Sequence, residues 1–396
     1  MRPGIWHQCG DKSQRLVIEQ LQHGAGVGVI VSPRDVNYAK SAVYSAIYHD
    51  LGAHVLIDPQ FYVPDYANDC LGTYPTSPFR MTATRLHQLT LPELGELAQA
   101  LEAINRTLST NGLIAPAVTY QAGRPDIIQL NAQLFDVSKQ VGDSLGIPTY
   151  ATVVLGGSIT ASDHTIAPAM SKATALPSDG WYYGYEFGQE RVPSAHDSVF
   201  RCCASGLDLV CTGKPVMHAF AGPMSLLSFG FGATGAGVGH NQNLWRFTPG
   251  RWGPPTGQGG GGDAPPRFFS PRLWGTIVYQ DETALLPQDL RNEVLVQSPF
   301  SARTALGLTW DRWSANKHLV YQICSTISEF IQPDPRANAR MAITILDHAV
   351  DLHGRIAATR LELRDGTNSY QLNWRTALRQ LLRERRRDFE YFDLLR

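Results

Sequence analysis

The stretch Ala25-Gly26-Val27-Gly28-Val29-Ile30-Val31-Ser32-Pro33-Arg34-Asp35 decides the fold. It is an unbroken apolar run with polar residues gathered at its C-terminal end. A strand with one wet face alternates apolar and polar residues; an unbroken Val/Ile run reads as a parallel strand covered on both faces. Asn37 to Leu51 follows with helical spacing and stops at Gly52. Ala53-His54-Val55-Leu56-Ile57-Asp58 is then a second strand of the same kind.

Working outward, the β-α alternation continues. Helices are predicted over 91–108, 128–145 and 198–210. Strands are predicted over 113–119, 150–155, 181–187, 216–220 and 233–238. That makes seven strands, with an eighth expected between Gly157 and Leu176. Repeated βα units build a parallel sheet, either doubly wound or closed into a barrel. No G-x-G-x-x-G follows the first strand, so a dinucleotide fold has no support. The fold class expected is therefore α/β: a (β/α)8 TIM-like barrel over 1–247 with a C-terminal helical extension. Residues 248–275 hold Gly257-Gln258-Gly259-Gly260-Gly261-Gly262-Asp263 and read as a Gly/Pro-rich flexible loop. Residues 276–396 read as mostly helical, with candidates at 317–331, 337–353 and 370–395.

Composition narrows the partners. The 396 residues are 43% apolar and 17% charged, with 34 Lys+Arg against 35 Asp+Glu. That is a folded-core composition, and a globally basic nucleic-acid binder is excluded. No run of about 18 apolar residues exists, so no membrane span is expected. The start, Met1-Arg2-Pro3-Gly4-Ile5-Trp6-His7-Gln8, has no apolar signal core. The six cysteines form no C-x-x-C pair. Together these features point to the cytoplasm, and the scattered His and Cys residues offer neither zinc spacing nor a cofactor motif.

Barrel active sites lie at the C-terminal ends of the strands. That rule selects Ser32, Arg34, Asp35 and Asn37, then Asp58 and Gln60, then Tyr185 and Glu186, then Gly222, and finally His240, Asn241 and Asn243. Carboxylates facing one pocket can serve as acid, base or nucleophile, so Asp58 and Glu186 are the catalytic candidates. Asp35, Gln60, Tyr185, Gly222, His240 and Asn241 are the substrate-binding candidates. Plainer readings stand beside two of these: Asp58 precedes Pro59 as in a turn, and Asp35 beside Arg34 suits a helix cap or surface pair; His218, within a strand, suits a satisfied core position. On the C-terminal helix, Arg375, Arg379, Arg383 and Arg387 recur every four residues along one face. Such a stripe can neutralise phosphates, or be a solvated helix face.

The block Lys214-Pro215-Val216-Met217-His218-Ala219-Phe220-Ala221-Gly222-Pro223-Met224 resembles the late-barrel segment of tRNA-guanine transglycosylases, including their DNA-modifying 7-deazaguanine relatives. Gly184-Tyr185-Glu186-Phe187-Gly188 is similar to the base-reading strand before it, and Val55 to Phe61 to the early strand whose Asp meets the purine. The resemblance implies exchange or modification of a purine at its N-glycosidic bond, by a glycosyltransferase acting on DNA or tRNA. Asp58 would then contact the purine, Glu186 would read the base, His240 and Asn241 would touch sugar or phosphate, and the arginine stripe would track the backbone. Two departures stand out. The stretch Ala233 to Gly239 carries no nucleophilic carboxylate, and no Cys-rich zinc site follows it. Two alternatives stay open. One is a small-molecule barrel enzyme such as a glycoside hydrolase, which needs Asp58 and Glu186 within about 5–10 Å and sugar-stacking walls from Trp181, Tyr182 and Tyr183. The other is a non-catalytic nucleic-acid-binding subunit with a protein partner, or a homodimer.

Overall fold

The computed structural model describes residues 1–396 except 189, 191, 254–264, 280, 302–309, 362, 364–368 and 395–396. Eight parallel strands follow one another around a barrel: β1 (Gly4–Gln8), β2 (Gly28–Val31), β3 (His54–Ile57), β4 (Leu113–Ile114), β5 (Thr149–Leu155), β6 (Gly180–Tyr185), β7 (Val216–His218) and β8 (Gly235–Val238). The pairing order is β3-β2-β1-β8-β7-β6-β5-β4, so the ladder is continuous except between β3 and β4. There the closure is made by Asn111, whose backbone N–H donates to Val55 O at 2.9 Å and whose side chain accepts from Val55 N at 2.7 Å. Higher up, Thr119 N–H donates to Tyr62 O at 3.3 Å.

Between the strands lie α1 (Gln14–Gln22), α2 (Tyr38–Asp50), α3 (Ala83–His87), α4 (Leu91–Leu108), α5 (Pro125–Leu145), α6 (Asp163–Thr174), α7 (His196–Val210) and α8 (Ser225–Gly230). Local chemistry sets their ends. Asn37 caps α2 by accepting from Lys40 N, and Thr90 with Glu93 makes a capping box on α4. Because Asn37 takes the cap, Asp35 is left to other partners.

The predicted barrel is observed, with one strand in a different place. The eighth strand is not between Gly157 and Leu176, where a turn and α6 lie; it is β1, Gly4-Ile5-Trp6-His7-Gln8. His7 and Gln8 are wholly buried there, and two buried polar residues in five hide the strand pattern. Along β1 the side chains alternate. Trp6 packs inside the barrel with Ile30, Leu56, Ile114, Tyr150, Val154, Tyr182 and Met217. Ile5 joins the outer cluster under the helices.

Beyond β8 the expected loop over 248–275 is corrected in two places. A short 3-10 turn at Pro249–Trp252 buries Arg251 and Trp252, and β9 (Arg267–Ser270) pairs antiparallel with β10 (Gly275–Val278). Phe268, Phe269, Leu273 and Trp274 are fully buried in this hairpin, which explains why the chain orders there. The tetraglycine lies outside the described residues. The helices α9 (Asp281–Leu285), α10 (Gln288–Val294), α11 (Arg312–Phe330), α12 (Pro335–Ala358), α13 (Ser369–Glu384) and α14 (Arg386–Leu394) follow. Leu346, Ala349, Trp374 and Leu378 share one hydrophobic cluster with Cys203 and Leu207 of α7 and Leu227 of α8, so the helical extension packs on the barrel's outer layer. No helix among the described residues is long and apolar enough to cross a membrane.

Candidate functional site

The C-terminal ends of the strands gather a buried polar cluster over an aromatic floor. Asp58, just past β3, is 1% exposed. Its Oδ2 accepts from the Tyr62 hydroxyl at 2.8 Å and the Tyr182 hydroxyl at 3.0 Å, and its Oδ1 accepts from Gln60 N–H at 3.0 Å. Burial pushes the Asp58 carboxyl up to about 6, against the pull of those three donors and the Arg251 charge. The two phenols are pushed up by burial and the adjacent carboxylate, so they remain donors. Gln60 sits in the left-handed region at φ 57°, a strained conformation for a residue with a side chain. Its backbone is clamped by Arg80, which donates to the carbonyls of Pro59 and Gln60.

Next to this carboxyl is a second one. Asp35 accepts from Ser32 Oγ at 2.7 Å and Arg34 Nη1 at 2.8 Å, and it pairs with Arg251. Gln60 ties the two groups together: its Nε2 donates to Ser32 Oγ at 2.9 Å and its Oε1 accepts from Arg34 N–H at 3.1 Å. The aromatic walls are Tyr62, Phe220, Phe247 and Trp252, with Tyr62 and Trp252 5.0 Å apart in an edge contact. Phe220, at φ 54°, is the second strained residue of the rim.

The predicted residues divide. Asp35, Asp58 and Gln60 are brought together. Glu186 stands at the end of β6, half-buried, with Oε2 accepting from Gly157 N–H at 2.6 Å; burial raises its carboxyl. It shares no hydrogen-bond partner with Asp58 among the described residues. Tyr185 faces outward into the helix layer, its ring on Phe187. Gly222 (φ 49°) packs against Trp245, where a Cβ would come within 2.5 Å. His240 is buried outside the barrel, stacked on His7 with ring centroids 5.7 Å apart, and Asn241 faces Asn316 of α11. Their expected place among the residues around Asp58 is thus corrected: the chain after β8 sets His240 against His7 of β1 and Asn241 against α11. Of the proposed sugar-stacking walls, Tyr182 faces the interior. Trp181 and Tyr183 face the helices, bonding Thr212 and Cys202 O, because alternation along β6 turns odd positions outward.

Two of the four arginines of the stripe are engaged by another helix. Arg375 and Arg379 both pair with Asp347 of α12, at 2.9 and 2.8 Å, and Arg383 lies 3.7 Å from Glu384. The acceptor for the first two is an aspartate one helix away, which a helical repeat of arginines does not reveal. Sequence reasoning missed Tyr62, Arg80, Phe220, Phe247, Arg251 and Trp252. The last two lie in a stretch that reads as loop, and the only local signal is their size among small residues.

The fold and site define a (β/α)8 barrel with a buried cluster of carboxylates and guanidiniums at its C-terminal mouth. No family model and no curated protein matches this chain. Among solved structures it is similar to an endo-β-1,4-mannanase from Thermotoga petrophila, with 9% identity, TM-score 0.40, and coverage of 60% of this chain and 67% of that one. It is also similar to an L-ribulose 3-epimerase, with 12% identity, TM-score 0.39, and coverage of 87% and 98%. A xylose isomerase domain protein from Planctomyces limnophilus gives 8%, 0.33, 61% and 90%. At these identities the likeness concerns the barrel alone. These neighbours carry names of sugar enzymes. The nucleic-acid transglycosylase expectation is corrected on this chain's own residues: β8 (Gly235–Val238) carries no carboxylate to attack a glycosidic carbon, and Arg375 and Arg379 of the stripe are taken by Asp347.

Proposed function

We propose that this chain is an acid–base enzyme acting on a small polyhydroxylated molecule, with Asp58 as the proton-carrying group. One observation carries the reading: a carboxyl raised to about 6, held between two phenol donors at the mouth of a barrel. A group that titrates near 6 populates both of its forms near neutrality, which general acid–base chemistry needs. Tyr62 and Tyr182 fix the carboxyl's orientation and leave Oδ1 with only a backbone donor. The rings of Phe220, Phe247 and Trp252 suit the apolar faces of a sugar, and Gln8, Gln60 and Arg251 suit its hydroxyls. A glycoside-cleaving version of the chemistry would employ Glu186 as the second carboxyl. The test is turnover of a panel of aryl glycosides and of aldose and ketose epimers, comparing wild type with Asp58→Asn. A loss of at least tenfold supports the reading, and a fully active Asp58→Asn sinks it.

A further inference from the structure

The donors and acceptors at the barrel mouth do not balance. Arg251 is buried, with its side chain 5% exposed, yet its Nε and Nη1 have no partner among the described residues. The indole Nε1 of Trp252, 1% exposed, is likewise unpartnered, as is Arg80 Nε. All four of these atoms are N–H donors; Gln8 adds one unpartnered donor, Nε2, and one unpartnered acceptor, Oε1, so donors still outnumber acceptors. Buried donors left unmade cost about 1–3 kcal/mol each, so a cluster of them points to a missing acceptor.

The charges are uneven in the same sense. Asp35 is shared by Arg34 and Arg251, which leaves that trio one positive charge in excess. Arg80 spends its bonds on two backbone carbonyls and lies over the Phe61 ring at 4.5 Å, with no carboxylate bonded to it among the described residues. Against Arg80 stands Asp58, whose charge acts on both Arg80 and Arg251. Three guanidiniums therefore meet two carboxylates. The Arg251 guanidinium lies 5.7 Å from the Trp252 ring and 5.9 Å from the Phe220 ring, and Trp252 meets Tyr62, the partner of Asp58.

We propose that the barrel mouth binds an anionic group, a carboxylate or a phosphate, through Arg251 and Trp252 beside Asp58. Building on the acid–base reading above, the substrate class becomes an acidic or phosphorylated sugar. Arg251 Nη2 is taken by Asp35, while Nε and Nη1, on different edges of the guanidinium, are each free to donate a single charge-assisted bond to such an oxyanion. Neutral sugars would leave the excess charge unbalanced.

The experiment titrates wild-type protein with glucose, glucuronate, glucose 6-phosphate, inorganic phosphate and acetate by calorimetry at constant ionic strength. The same titrations follow on Arg251→Gln, Arg251→Lys and Arg34→Gln. Saturable binding of phosphate or acetate, weakened at least tenfold in Arg251→Gln and less in Arg251→Lys, is the expected result. Preference between glucuronate and glucose 6-phosphate identifies the anion's source. Should Arg251→Gln not fold, Arg34→Gln takes its place: it removes the excess positive charge of the trio, and weaker anion binding there supports the proposal. Anion binding that is absent from wild type, or equal in every variant, overturns the proposal. Glucose binding without any anion binding overturns it while leaving the sugar reading intact. Anion binding that survives in an Asp58→Asn protein of unaltered activity retains the anion site and removes the acid–base reading.

Discussion

The hydroxyl of Tyr182, on β6, donates to Asp58 Oδ2, past the end of β3, at 3.0 Å. The two residues are far apart in sequence and in strand order, and the barrel interior is what brings them within one bond. Tyr182→Phe removes a donor that stabilises the ionised carboxyl, so the Asp58 pKa should rise further above 6. The expected outcome is a pH–rate profile whose acidic limb moves to higher pH, with a stability cost of about 1 kcal/mol. An unmoved limb would separate Asp58 from the observed ionisation.

Asp58 itself should make stability fall as pH rises. Its folded pKa lies above the unfolded value, so between about pH 4 and 6 the folded state binds more protons than the unfolded one. The ionised form is the penalised one, and the cost is complete above the folded pKa. Raised from 3.8 to about 6, the group costs up to roughly 3 kcal/mol at neutral pH. Asp58→Asn should flatten the dependence of unfolding free energy on pH across this window. Chemical denaturation at pH 4, 5, 6 and 7 measures it, and parallel curves for the two proteins would refute the assignment.

Trp252 is fully buried and touches Tyr62, Phe220 and Phe247. Trp252→Ala should destabilise by about 3–5 kcal/mol through lost burial and a residual cavity. A melting temperature within a degree of wild type would mean that this turn contributes nothing to the mouth.

The Asp347 pairs on the outer helices are a contrasting case. Asp347 and Arg379 are 39% and 53% exposed, so water screens them. Asp347→Asn should change stability by less than about 1 kcal/mol. A larger loss in denaturation would show that the arginine face is a structural clamp.

Gly28→Ala tests the β1–β2 seam. A Cβ there would lie 2.5 Å from the Trp6 ring and 2.9 Å from His54 O, a backbone atom that cannot swing away. The expected cost is about 1–3 kcal/mol of overpacking strain, read as a lower denaturation midpoint.

How far the sequence reaches differs between elements. The β2 run Gly28–Val31 and the helix Leu91–Leu108 are legible because their patterns are local: an unbroken β-branched run and a capped amphipathic period. β1 is not, since His7 and Gln8 are buried by neighbours remote in sequence. Asp35, Asp58 and Gln60 are found by position alone, as residues at strand ends. His240 obeys the same rule and lands elsewhere, because one residue of register turns a side chain to the other face of a strand.

The sequence by itself determined the alternation of strands and helices, the parallel sheet that such alternation forces, and the polar residues at the strand ends. Only the tertiary structure decided which polar groups meet. Asp58 meets Tyr62 and Tyr182, Asp35 meets Arg251, and Arg379 meets Asp347. Most of these contacts join residues tens to hundreds of positions apart, and they exist because barrel closure fixes strand register and inward alternation together. Periodicity reports the face that a residue's own element must bury. It carries no information about which distant element arrives to cover that face.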